Sequence, residues 1–235
     1  MLGTDVSMLR RVGRLRTLCN HGIGLAACST LGVVVTSSHA DNSLSVWDAD
    51  PTCSKRHAGL RLVCTLGGEG SPDAIRFKFN DDDVVSGYLA FTPFDIRVYM
   101  RPLLLVTDVG ADAVHVIDVV ERTHKGYLAA PMSIAKPRGV AVSLTAPLAG
   151  VSAYDALSGR IEGLITLYQG RYPSWQVTRV IRGLGDNQLQ IPLGLRFARD
   201  DLTIWVADVG HVRAFRVQDG EFQQNMVEGL RPCDV

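Results

Sequence analysis

The chain has 235 residues, with 24 Lys plus Arg balanced by 24 Asp plus Glu and a formal net charge of zero. The length supports one large all-β unit or two small domains, and the charge balance excludes a global electrostatic pull toward nucleic acid or anionic lipid. Cys19, Cys28, Cys53, Cys64 and Cys233 are odd in number and include no C-x-x-C pair, so neither a disulfide framework nor a structural zinc site is expected; reduced thiols of a cytoplasmic protein are.

At the amino terminus, Arg10, Arg11, Arg14 and Arg16 precede residues 18–40, which carry no Asp, Glu, Lys or Arg. Read one way, the basic region, the apolar region and Ser38-His39-Ala40 form a secretory signal that would export the protein. Read the other way, the same residues are strands of a repeat. Their Gly, Ser and Thr content, with His21 and His39, argues against a helix that spans a membrane. The repeat reading is preferred. It leaves residues 1–21 as a separate segment, either an outer strand or a targeting segment, ahead of one repeat domain over residues 22–235.

The repeat is an apolar run, a small or hydroxyl residue, a polar turn, then a second alternating run. Residues 33–47 and 104–117 are two copies, residues 204–215 are the clearest partner of the second, and residues 151–161 are a degenerate copy. A short alternating strand precedes each. Leu25, Leu89, Val140 and Leu195 take equivalent places at steps of 64, 51 and 55 residues, with Gly24, Tyr88, Gly139 and Gly194 in the slot before them. Periods of about 40 to 50 residues built from short strands are what propeller blades give. The first step is long because residues 67–87 hold an insertion that includes Asn80, Asp81, Asp82 and Asp83. Residues 229–235 look like the start of another inner strand. The predicted fold is therefore an all-β propeller of about four blades plus a partial fifth, incomplete or open, with residues 5–18 available as an outer strand. Open blade edges would invite a homodimer.

Pro137-Arg138-Gly139-Val140-Ala141-Val142, taken with turns such as Val206-Ala207-Asp208-Val209-Gly210, resembles the NHL repeat. The likeness is best over residues 104–142 and 180–217, partial over 22–50 and poor over 146–169. Propellers of that family usually close with about six blades. Members usually carry Asn or Asp-Asn-His after the turn aspartate. Here the second copy has Ala111-Asp112, and the fourth has lost two residues around His211. The aspartate itself is replaced in the region of Ser37-Ser38 and Ser152-Ala153.

His39, His115 and His211 fall in or beside the turns, near Asp41, Asp108, Asp112 and Asp208. Metal-using propellers place such residues around the channel, but no matched ligand set recurs here, so no metal or cofactor is expected and Asp108 and Asp208 read as turn formers. Asp81-Asp82-Asp83 lacks the spacing of a calcium loop and reads as a solvated loop. Gly67-Gly68-Glu69-Gly70 and Gly183-Leu184-Gly185 lack a following Lys-Ser/Thr and read as turns between blades rather than phosphate cradles. No nucleophile elbow or catalytic triad is present. Trp47 and Trp205 are expected in blade packing, and Trp175 in packing or as a loop contact. Arg138, Arg196, Arg213 and Arg216 are interleaved with acids, so nucleic acid is not the expected partner. The expected function is a non-enzymatic scaffold that binds a protein partner through loops at one end of the channel. The alternatives are a metal-dependent propeller enzyme acting on a small molecule and a truncated repeat fragment without independent function.

Overall fold

A computed structural model describes residues 22–49, 60–69, 74–81, 84–92, 101–155 and 162–228. Strands β1 (Gly22–Cys28), β2 (Val33–Ser38), β3 (Ser43–Asp48) and β4 (Arg61–Gly67) make the first sheet. After a small hairpin of β5 (Asn80–Asp81) and β6 (Val84–Val85), β7 (Leu89–Phe91), β8 (Leu104–Asp108), β9 (Ala113–Asp118) and β10 (Thr123–Ala129) make the second. The third holds β11 (Pro137–Val142), β12 (Leu148–Asp155), β13 (Glu162–Gln169) and β14 (Gln176–Ile181). The fourth holds β15 (Leu195–Phe197), β16 (Thr203–Asp208), β17 (His211–Arg216) and β18 (Phe222–Glu228). Each sheet is an antiparallel meander in chain order. The first strands pack on one another in succession, β1 on β7, β7 on β11 and β11 on β15. This is a β-propeller of four blades around a common axis. No comparable packing joins β15 to β1 among the described residues, so these blades form an arc.

Period-two alternation places one face of blades 2 and 3 on the blade before and the other on the blade after. Leu104, Val106 and Ile117 face blade 1, against Val35, Leu44, Val46 and Leu66. Leu105, Val114 and Val116 face blade 3, against Val140, Ala149 and Val151. Ile165 and Leu167 meet Ile204, Val206 and Phe215 at the third junction. Burial of each such side chain stabilises the fold by about 1.5–3 kcal/mol.

The predicted register holds in all four blades: Leu25, Leu89, Val140 and Leu195 pair with Thr36, Val106, Val151 and Val206. At two of the glycines in the slot before them, the cause lies in the next blade. A β-carbon on Gly24 would run into the Gly87 carbonyl of the next blade, and one on Gly139 into that of Leu193. A hydroxyl ties the same spot. Gly139 N donates to Ser152 Oγ at 2.7 Å, and that hydroxyl donates to Leu193 O at 2.6 Å. In blade 2, Tyr88 N donates to Thr107 Oγ1 at 3.0 Å, which donates to Arg138 O at 2.8 Å. In blade 1, Gly24 N donates to Ser37 Oγ at 2.8 Å. Blade 4 has Ala207 in this place, and a β-carbon on Gly194 would meet open space.

One expectation changes. Asp81 does not stand free in a solvated loop: it closes the β5–β6 hairpin and is ion-paired with Lys78 at 3.7 Å and with Lys136. Leu195 is partly buried and packs at the third junction beside Ile204 and Val206. The expected extra strand at 229–235, the outer strand at 5–18 and the remaining cysteines Cys19, Cys53 and Cys233 lie outside the described residues. Cys28 is a free thiol, and burial pushes its pKa up.

Ser152→Ala leaves the Gly139 N–H and the Leu193 carbonyl without their shared hydroxyl. Its expected cost is about 1–3 kcal/mol in urea unfolding. Gly139→Ala should cost more, because backbone must move. A wild-type midpoint in both variants would show that the blades do not depend on this contact.

Candidate functional site

The turns β2–β3, β8–β9 and β16–β17 lie at the same end of the propeller as the connections between blades, as do the last residues of β12 and the first of β13. Hydrogen bonds show the grouping: Phe79 N donates to Asn42 Oδ1, Lys136 N to Asp112 Oδ1, and Gly163 N to Leu189 O. In the first two turns Asn42 and Asp112 adopt φ of 52° and 48°, which these side chains tolerate. The fourth turn is two residues shorter and bends at Gly210, φ 70°.

Asp108 and Asp208 end the second strands of blades 2 and 4, and both are fully buried. They are more than local turn formers. Asp108 Oδ1 accepts Ala111 N at 3.1 Å inside its own turn, while Oδ2 accepts Lys78 N, from the connection out of blade 1, at 2.8 Å. Asp208 accepts Ile191 N at 2.8 Å and Gln190 N at 3.1 Å, from the connection out of blade 3. Each carboxylate thus pins an incoming connection to the blade it enters. A buried carboxylate needs such donors, because stripping it of water without them costs several kcal/mol.

Each also faces a basic side chain on the third strand. His115 pairs with Val106 and Arg213 with Val206, so the two occupy the same slot. His115 Nε2 lies 3.1 Å from Asp108 Oδ2, and its Nδ1 lies 3.1 Å from Nε2 of His124 on β10. A carboxylate only accepts, so the neutral His115 ring carries its proton on Nε2 and takes a hydrogen bond from His124 at Nδ1. Phe77 meets the His115 ring edge-on at 5.3 Å, and Tyr127 packs on both imidazoles. Both ring nitrogens of His115 are used and an aromatic ring closes the slot.

In blade 4 the slot is open. Arg213 is buried; its Nη1 donates to Asp186 O at 3.1 Å, and its Nε stands 3.5 Å from Asp208 Oδ2 without a hydrogen bond. Beside it is a cavity of about 660 Å³ framed by residues 185–191 of the incoming connection together with His211 and Arg213. His211 Nδ1 lies 2.8 Å from Val209 O, so Nδ1 carries the proton and Nε2 of the neutral ring is left as an acceptor. Exposed Met132 and Leu184 stand on connections of this same end.

The sequence-predicted histidines do not converge. His115 is joined to His124, His211 to the blade-4 cavity, and the His39 carbonyl to Asn80. Asp41 accepts Ser43 Oγ, and Asp112 the Lys136 amide. No group of three metal-ligating side chains forms among the described residues. Arg216 pairs with Asp219 and Glu221, and Arg213 faces Asp208. Trp47 is buried with its N–H on Thr36, and Trp175 packs half-buried at the second junction. His124 was not singled out from the sequence. It follows the β9–β10 turn rather than the repeated turn, and only strand pairing brings it to His115.

Partial burial of the His124 ring, and secondly the neighbouring His115, lower its pKa from the ordinary imidazole value. The folded chain therefore favours the neutral ring. This contribution is complete above about pH 6.5, where the unfolded imidazole is also neutral, and is lost as pH falls and the unfolded chain takes up the proton first. The melting temperature should fall more steeply from pH 7.5 to pH 5 in the wild type than in His124→Gln. Parallel curves would show that the ring does not titrate against folding.

No protein-family model and no curated protein matches this chain. Among solved structures, hydrazine synthase of Kuenenia stuttgartiensis is similar in fold, with a TM-score of 0.59 and 13% identity over 90% of this chain. The chain spans 50% of the length of that neighbour's chain. At this identity the likeness concerns the fold alone. No helix among the described residues is long and apolar enough to cross a membrane.

Proposed function

We propose that this chain is an NHL-like propeller that acts as a non-enzymatic scaffold and holds a protein partner at the end where its turns and inter-blade connections meet. The observation that carries the reading is the open blade-4 slot. The equivalent place in blade 2 is filled by the protein's own Phe77, whereas in blade 4 a cavity of about 660 Å³ reaches a buried arginine. Met132 and Leu184, about nine-tenths exposed, add apolar contact surface on the same end. Rigid blades below and variable connections above are the arrangement by which a scaffold carries a specific surface.

Photo-crosslinking compares the two ends directly. A benzophenone amino acid placed at Leu184 or Met132 should give discrete cross-linked species in cells that make the protein. The same group at exposed Leu144 or Leu202, in the β11–β12 and β15–β16 turns at the opposite end, should not. Equal products from both ends, or none from the turn end, would overturn the assignment.

A further inference from the structure

The slot below the turn end occurs twice in this chain, and the two copies differ in one informative way. In blade 2 the connection out of blade 1 fills it. A β-carbon on Gly110 would run into Lys78 of that connection. His115 uses both ring nitrogens, one on Asp108 and one on His124. In blade 4 a β-carbon on the equivalent Gly210 would meet nothing. The side chain at the base is Arg213, 4% exposed, with Nε 3.5 Å from Asp208 Oδ2 but in no hydrogen bond. Asp208 accepts the amides of Gln190 and Ile191 and stands too far from Nε for a hydrogen bond. Blade 4 therefore keeps the carboxylate and cation of the slot but leaves Nε without a hydrogen bond and the slot without a covering ring.

We propose that the blade-4 slot binds a carboxylate carried by a peptide, with Arg213 as the recognising group. This rests on the partner-binding reading and names the chemistry of its contact. A guanidinium offers a planar fork that a carboxylate matches and that a neutral amide cannot. One arginine that already faces one buried carboxylate suits a monoanion, not a phosphate dianion. The acid that lines the cavity, Asp186, is exposed and meets Arg213 through its main-chain oxygen, so water screens its charge. Ile191 supplies an apolar contact in the cavity wall, and Gln190 stands in the place that Phe77 takes in blade 2. His211 Nε2 supplies an acceptor at the rim, suited to the peptide N–H adjacent to the bound carboxylate.

The carboxylate can be a chain terminus or an acidic side chain, and the probes separate these. The Nε–Hε resonance of Arg213 in ¹⁵N-labelled protein is followed while N-acetyl-leucine, N-acetyl-glutamic acid α-methylamide or neutral N-acetyl-leucine methylamide is added. A saturable shift is expected with at least one acid below about 10 mM, and none with the neutral amide. The acid that binds more tightly identifies the source. Ile191→Ala should weaken binding about fivefold through lost apolar contact. Arg213→Lys should weaken it about tenfold while the melting temperature shows that the chain still folds. If that variant does not fold, the wild-type titration alone decides. No saturable shift, or an equal one with the neutral amide, overturns the carboxylate site. If turn-end cross-links persist in that case, the partner reading stands without it. Loss of the cross-links with a retained acid-specific shift would instead sink the partner reading and leave a small-molecule carboxylate site.

Discussion

The arc of blades depends on a pair of residues at the end of each second strand. Consecutive strand residues point to opposite faces, so such a pair can act in two directions. In blade 2, Thr107 reaches forward and bonds the inner strand of blade 3, while Asp108 reaches back and holds the connection arriving from blade 1. One dipeptide therefore fixes a blade against both neighbours. In blade 3 the forward half is Ser152, bonded to the Leu193 carbonyl, and the backward half is Ala153. In blade 4 the forward half is Ala207 and the backward half is Asp208. The hydroxyl and the carboxylate are separable, and blade 2 keeps both.

Close approach explains why so small a contact matters. Apolar faces between blades are non-directional and would tolerate sliding. The hydroxyl bonds main-chain groups of two blades at once, and the glycine beside it lets those main chains come near enough to be bridged. Register between blades is thus set by hydrogen bonds near the axis, and the hydrophobic junctions farther out supply most of the energy. The second blade follows the rule with Tyr88 in place of glycine. Its threonine still bridges, and its Gly87 supplies the carbonyl that Gly24 of blade 1 approaches.

What was legible from the sequence follows the same physics. The strand runs and the equivalence of Leu25, Leu89, Val140 and Leu195 came from alternation and spacing, which are local. Asp108 and Asp208 were recognisable as structural residues because an aspartate after an apolar run has a local use. Their larger use, binding a connection 30 and 17 to 18 residues away in sequence, has no local signature. The same limit hid the His115–His124 contact, the ion pair of Asp81 with Lys136, and the glycine collisions with the following blade. Each joins segments whose separation depends on an insertion or turn length that periodicity does not encode. The candidate site was legible only as a class, loops at one end, together with the observation that the fourth turn had lost residues around His211.

That lost pair of residues connects the fold to the site. Shortening the β16–β17 turn leaves the Asp208 pairing and the strand register intact, because both are set below the turn. It removes the counterpart of Asp112, which in blade 2 holds Lys136 of the next connection. The turn can therefore change without disturbing the blade, and it leaves open space at Gly210 while Asp208 still pins the incoming connection at Gln190 and Ile191. Exchange of histidine for arginine on the third strand adds to the same effect. A histidine beside a second histidine makes a closed, self-satisfied slot, whereas an arginine in that place has more donors than the buried aspartate can accept. The two slots rest on one scaffold, and the difference between a packed junction and a receptive one comes from the length of a turn and the number of hydrogens on one side chain.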